Sequence, residues 1–294
     1  VKAIYHFFSA SELFKDEPIT SIYQLLNIII YIILSILVVA KLMGVEPGAI
    51  LAGLGAATVV IMLVFKDTIL GLVASIQISA NDMLRIGDWV EFSKYGADGS
   101  ILSINLTTVK VQNWDKTIST IPTYAFISDA FKNWRGMEES GGRRIVRSIN
   151  ININSIKQCS SEHLQHYKKF EFVTKYIEDK EKEIAAYNQE HNVNTDSSVN
   201  GRSLTNIGIF RIYIENFLKD KPYINHDYTF LIRQLAPGDS GVPIQLYIFL
   251  KEQRWVQYEA IQSDIFDHLL AVLPEFDLQV FQSPSGNDFK RLLK

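Results

Sequence analysis

Residues 47–81 read PGAILAGLGAATVVIMLVFKDTILGLVASIQISAN, and their only charges are the adjacent pair Lys66 and Asp67. A helix needs roughly 20 apolar residues to cross the hydrocarbon of a bilayer, and residues 48–65 nearly supply that run before the first charge. Beyond Asp67 the pattern changes. Ile69, Leu72, Val73 and Ile76 share one helical face, with Thr68, Ser75, Gln77, Ser79 and Asn81 on the others. That pattern suits a helix lying at an interface or packed on protein better than one surrounded by lipid. The stretch therefore predicts a helix that changes solvent partway. Lys66, Asp67 and Gly71 are expected to form a break or joint at the change.

Working outward, a first full span is expected over residues 19–43, with Lys41 at its end able to snorkel and Tyr23 placed to anchor in the headgroup layer. Gly44 is a plausible C-terminal cap, and Pro47 sits where a new helix would begin, so residues 44–46 form a tight reversal. Residues 1–18 mix Tyr5, Phe7, Phe8 and Phe14 with charges, and fit either a membrane-surface segment or the tail of an earlier helix. The chain opens on Val1, which leaves room for further membrane helices upstream. The reversal loop has no Lys or Arg, whereas the chain after Asn81 carries Arg85, Lys94, Lys110, Lys116, Lys132 and Arg135. By the positive-inside rule the large C-terminal part is cytoplasmic.

From Met83 the period becomes two. Residues 85–92 and 99–104 alternate, and residues 107–111 and 117–121 flank a turn at 113–116, which predicts a small all-β, barrel-like domain over 83–135. A polar break at 136–142 precedes an α+β domain over 136–294. Its expected order is a strand at 145–153, a helix at 160–188 and an additional helix at 206–218. Strands at 228–235 and 242–250, a helix at 256–273 and a last strand at 277–281 complete it. This order suggests a ferredoxin-like sandwich with an inserted helix.

Composition narrows the functional classes. Across 294 residues the net charge is -3, which gives no reason to expect nucleic acid as a partner. Cys159 is the single cysteine, so the chain holds no disulfide framework. His163 and His166 lie three apart without a cluster to complete a metal site, and no cofactor fingerprint is present: Gly53 and Gly55 lie inside an apolar helix, where small residues serve helix packing. Gly238-Asp239-Ser240-Gly241 reads as a hairpin turn, not a nucleophile loop, and no catalytic cluster is visible, so the chain is not expected to be an enzyme.

Three pieces resemble the pore helix and β-domain entry of the small-conductance mechanosensitive channel (MscS-like) family: Leu54-Gly55-Ala56-Ala57, then Lys66-Asp67-Thr68-Ile69-x-Gly71-Leu72-x-Ala74-Ser75, and Ile86-Gly87-Asp88-Trp89-Val90. The thread continues through Thr107-Thr108-Val109, Asp115-x-x-Ile118-x-x-Ile121-Pro122 and Asn133, and the extra helix near 206–218 suggests the miniconductance branch. The resemblance implies a multi-pass homo-oligomer, typically of seven subunits, in the bacterial inner membrane. It would open under tension and let ions and small solutes escape during hypo-osmotic shock, with membrane lipids as partners.

Carried over by position, Val59 and Leu63 take the place of a hydrophobic pore constriction. Ala52, Gly55, Ala56, Thr58, Val60 and Met62 fall where neighbouring pore helices pack, and Ile69, Leu72 and Ile76 form the interfacial piece that couples tension to the β domain. Thr58, Val60, Ile61 and Met62 are bulkier than the family pattern, which implies stiffer sliding and a small conductance. Asp67 replaces a hinge glycine, and Thr123 stands where Asn is usual. The other reading that two spans and a soluble domain allow is a membrane-tethered structural or signalling protein whose cytoplasmic domain binds a ligand or partner.

Overall fold

The computed structural model describes residues 19–194, 197 and 199–284. The segment at residues 1–18 and the side chain of Tyr23 lie outside the described residues. Two compact units follow each other along the chain, the first ending at Asn133 and the second beginning at Trp134.

The first unit opens with two helices, α1 (Ile19–Met43) and α2 (Pro47–Ala80), both long and apolar enough to cross a membrane. Gly44 ends α1 at φ 65°, a left-handed conformation that costs glycine nothing, and Val45 N–H returns to Ala40 O at 3.1 Å. Pro47 then starts α2, where its missing N–H forfeits no helical bond.

Contrary to the expected break, α2 is helical without interruption through Lys66, Asp67 and Gly71. Neither Lys nor Asp removes a backbone donor, and one interior glycine costs only about 1 kcal/mol, so nothing in this stretch forces a kink. Its 34 residues span about 51 Å at 1.5 Å per residue, well beyond a hydrocarbon core of roughly 30 Å.

The β domain of this unit holds β1 (Trp89–Phe92), β2 (Ala97–Ile104), β3 (Thr108–Asn113), β4 (Ile118–Pro122), the short helix α3 (Ala125–Ser128) and β5 (Lys132–Asn133). All neighbouring strands are antiparallel, in the order β4-β3-β2-β1-β5, with a register shift between Ile101 and Ser103. No β4–β5 ladder closes the expected barrel among the described residues. Alternation places Val90, Phe92, Ile101, Val109, Val111 and Ile121 in a core shared with Phe126, whose ring meets Phe92 edge-on at 5.0 Å. Phe92 is thus a core residue. Trp89 and Trp114, by contrast, both donate their indole N–H to Asp98 Oδ1, at 2.7 and 3.1 Å.

The second unit contains α4 (Arg135–Ser140), β6 (Arg143–Ile151), α5 (Ser161–Tyr167), α6 (Glu171–Glu190), α7 (Asn206–Lys219), β7 (Leu231–Gln234), β8 (Val242–Leu250) and α8 (Trp255–Val272). Its sheet is antiparallel in the order β6-β8-β7. The inserted helix α7 buries Ile207, Phe210, Ile214, Phe217 and Leu218, so it belongs to the core and is not a surface appendage.

Two expectations fail here. The helix predicted over 160–188 is divided between α5 and α6. Thr174 Oγ1 donates to the Lys168 and Phe170 carbonyls, both at 2.9 Å, and Phe170 turns its ring onto Phe276 at 5.2 Å. The strand predicted at 277–281 is reduced to a single bridge between Ile151 and Val280, and a tight 3-10 turn, Leu273–Phe276, precedes it. Asp277 follows that turn at φ 55° and receives the Tyr167 hydroxyl at 2.8 Å, with Lys157 Nζ at 3.4 Å. The motif at 238–241 is a turn between β7 and β8 in which Gly238 and Gly241 exchange N–H···O bonds of 3.0 Å.

The Tyr167 hydroxyl, helped by Lys157, holds the Asp277 carboxyl below its ordinary range. Its folded value is depressed, so the stabilisation is present above the unfolded carboxylate pKa of about 3.9 and is lost as pH falls through the folded value. Tyr167→Phe is expected to cost about 1 kcal/mol at neutral pH and to speed amide exchange over residues 273–278. The gap to wild type should shrink in acid once intrinsic exchange rates are corrected. Equal protection of the two proteins at pH 7 refutes this anchoring role.

Candidate pore helix and its junction with the β domain

Along α2 the surroundings change in two stages. Every residue from 51 to 70 is exposed on the isolated chain, including Val59 at 68% and Leu63 at 74%. Val59 and Leu63 are four apart and share a face, and Ala52, Gly55 and Ala56 precede them on that face at steps of three and four. Thr58 satisfies its hydroxyl locally, donating to Leu54 O at 2.7 Å, while Val60 and Met62 extend outward on other faces. Lys66 and Asp67 follow Leu63 by three and four residues, so they flank the same face one turn further on.

The second stage starts at Gly71, where α2 meets protein. Gly71, Ala74 and Ile78 are buried. A Cβ added to Gly71 would lie 2.8 Å from Leu106 O and 3.2 Å from Thr107 Cα. Gly71 is therefore a point of close backbone approach between α2 and the turn joining β2 to β3, not a break in the helix. Ser75, one helical turn later, donates its hydroxyl to the same Leu106 carbonyl at 3.1 Å. Ile69, Leu72 and Ile76 lie on the opposite side and are exposed, so the apolar face noted in the sequence is not the face that docks on the β domain of its own chain.

Past the helix the chain is fixed by an elbow of buried polar groups. Met83 N–H bonds Ile78 O at 3.0 Å, and Asp82 adopts φ 50°. Asp88, only 8% exposed, accepts from Arg85 N–H at 2.9 Å and from Asn133 Nδ2 at 2.7 Å. Asn133 Nδ2 also reaches Met83 O at 3.1 Å. One amide on β5 thereby ties the exit of α2 to the entry of β1, satisfying backbone groups that no ladder serves.

Sequence reasoning singled out Gly71 but assigned it the wrong mechanical part, and gave no role to Ser75, Asp88, Thr123 or Asn133. A spacing signal was available for Gly71 and Ser75: small residues four apart mark a helix face built for close approach. Among the described residues no group of three or more His, Cys, Asp or Glu side chains could hold a metal ion.

Residues 67–136 match the family described as "Mechanosensitive ion channel, beta-domain". Over 279 residues the chain is 24% identical to an uncharacterized MscS family protein of Helicobacter pylori, covering 92% of this chain and 40% of that one. It is 29% identical over 140 residues to the small-conductance mechanosensitive channel MscMJ of Methanocaldococcus jannaschii, 48% of this chain and 39% of that protein. Its fold is similar to the crystal structure of Helicobacter pylori MscS in the closed state, at a TM-score of 0.54 and 15% identity, covering 96% of this chain and 92% of the other. The docked half of α2 and the β domain thus match the mechanosensitive-channel β-domain family, and the chain as a whole is similar in fold to MscS. Members of this family are channels, not enzymes. The chain spans 40% of the length of the Helicobacter pylori relative.

Replacing Gly71 by Ala gains up to about 1 kcal/mol of helix propensity. It also forces a methyl group into the Leu106 carbonyl, an overpacking that costs about 1–3 kcal/mol. The expected net result is looser docking, read as faster amide exchange over residues 104–108 with α1 unchanged. Slower exchange in that segment contradicts the close-approach account.

Proposed function

We propose that this chain is the pore-forming subunit of a membrane channel gated by tension, which releases ions and small solutes during hypo-osmotic shock. The observation that carries the reading is the divided character of α2: an apolar first part, exposed at every residue from 51 to 70, and a second part docked on the family's β domain. An apolar helix surface of this length needs lipid or neighbouring helices to cover it. A ring of such helices is the arrangement in which Val59 and Leu63 form a constriction that stops ions by dewetting. We take the assembly to be a homo-oligomer, a heptamer, with membrane lipids around α1. Ala52, Gly55, Ala56, Thr58, Val60 and Met62 lie at the contacts between adjacent pore helices.

In this reading residues 19–82 form the membrane domain, 83–135 the β domain and 136–294 a cytoplasmic domain. The sheet order β6-β8-β7, with Val280 bridged to the outer side of β6, supports a ferredoxin-like ancestry for that last part. The location is a bacterial inner membrane, and the branch is the miniconductance one. Thr58, Val60 and Met62 restrict how closely neighbouring helices slide, so openings are small. Ile69, Leu72 and Ile76 meet the lipid interface or an adjacent subunit. Tension favours whichever state occupies more membrane area, which is a population shift between two states.

The test is recording from liposome patches containing the full-length protein under suction. Pressure-dependent currents of small unit conductance are expected; a silent patch with verified incorporation rejects the channel reading. Val59→Ser or Leu63→Ser should wet the constriction, giving currents at rest and slowed growth on expression. Unaltered resting conductance in both variants moves the constriction elsewhere.

A further inference from the structure

We propose that the second unit holds a binding site for a small quaternary ammonium cation of the choline type, walled by Phe170, Phe172, Tyr213 and Phe276 and faced by the carboxylates of Glu171 and Glu275. The site lies wholly within that unit and stands apart from the channel reading above. These residues line a cavity of about 250 Å³ where the start of α6, the helix α7 and the turn after α8 meet. Sites for drug-sized ligands run from about 300 to 1,000 Å³, so this one suits a compact ion. The four rings form a continuous wall. Phe276 meets Phe170 at 5.2 Å and Tyr213 at 5.1 Å, and Tyr213 meets Phe172 at 5.9 Å, with ring planes inclined by 62°, 55° and 80°. Rings so inclined enclose a space instead of stacking. A cation placed there reaches more than one ring within the roughly 6 Å of a cation–π contact.

The walls are held in place by the fold. Phe276 is buried, and the Tyr213 hydroxyl is engaged with His268 Nε2 at 2.8 Å, which leaves the tyrosine ring as its offering to the cavity. The Phe172 carbonyl accepts Asn216 Nδ2 at 2.7 Å, and the Phe170 carbonyl accepts Thr174 Oγ1 at 2.9 Å. Phe170 is extended, at φ -92° and ψ 111°, so the division between α5 and α6 brings Phe170 and Phe172 to one cavity on either side of Glu171. Glu171 is exposed in the first turn of α6 and has no ion-pair partner among the described residues. Glu275 is also exposed, with His166 Nε2 at 3.8 Å. The N-terminus of α6 contributes about half a positive charge, which two carboxylates outweigh. Carboxylates and aromatic faces favour the same sign of ligand. A primary ammonium is strongly hydrated and the rings offer it no acceptor; methyl groups on the nitrogen remove that loss.

The test is saturation-transfer NMR on the trimethyl protons of choline, titrated into the full-length protein in maltoside micelles, which contain no quaternary ammonium of their own. Choline should bind saturably. Its neutral isostere 3,3-dimethylbutan-1-ol, with carbon in place of the charged nitrogen, should bind roughly ten-fold more weakly, since it keeps the shape and loses the cation–π attraction. Phe170→Leu keeps apolar bulk and removes one ring face, so choline should weaken roughly five-fold while the isostere changes little. Glu171→Gln should weaken choline by roughly three-fold, and added salt should shrink that difference.

Three results overturn the site. Wild-type protein that gives no saturable choline signal has no such site. Equal affinity for choline and the isostere makes the cavity merely apolar. Choline affinity unchanged in both variants places the signal elsewhere on the protein. Glu171 is exposed, so its variant remains informative even where Phe170→Leu disturbs packing. None of these measurements uses current, so their failure leaves the channel reading as it stands, and a silent patch leaves the choline titration as it stands.

Discussion

One helix with two successive environments is the constraint on which the first unit depends. Where α2 is apolar on every side, its side chains must meet lipid or other helices, and bulk is tolerated: Val59, Met62, Leu63 and Phe65 all project freely. Where it meets its own β domain, the limiting quantity is the distance between two backbones. Gly71, Ala74 and Ser75 reduce the side-chain layer to almost nothing, and the turn at Leu106 comes within reach of a serine hydroxyl. The glycine weakens the helix slightly. The contact it permits offsets that cost.

A second regularity concerns buried polar groups. Asp88, Thr123, Asn206 and Asn225 are the buried polar or charged residues among those described, and each holds irregular chain in place. Asp88 fixes the elbow after α2, and Thr123 grips the β2–β3 turn. Asn206 donates to Ser155 O and Phe276 O while accepting from Lys157 N–H. Asn225 donates to Gly141 O and accepts from Asp227 N–H. Helices and strands satisfy their own backbone; turns and exits must find other partners, and side-chain amides and hydroxyls supply them.

Much of the architecture was legible in the chain because it follows from periodicity. The two apolar helices, the reversal at Gly44 and Pro47 and the alternating strands of the β domain were read within a few residues of where they lie. Two boundaries were not. The division between α5 and α6 uses no Pro or Gly; it rests on a threonine bonding back and on Phe170 packing against a ring more than a hundred positions away. The missing strand at 277–281 is a similar case, since the Asp277 carboxylate makes its partners across the fold and holds the backbone in a turn that its local sequence does not announce. For the site, the pattern located the helix and its charged pair but not what the lower half touches, because contact between an α2 residue and a turn some thirty positions later has no period.

By itself, then, the sequence determined where chain is apolar on all sides, where that ends at Lys66 and Asp67, and where alternation begins. These are properties of neighbours along the chain, and hydrophobic period records them directly. Tertiary structure alone decided that Gly71 is a contact and not a break, that Ser75 faces Leu106, and that Thr123 stands behind it. Each depends on which backbone approaches which, a matter of distance through space. A glycine in a helix is equally compatible with bending and with being touched; only the position of the Leu106 carbonyl distinguishes them.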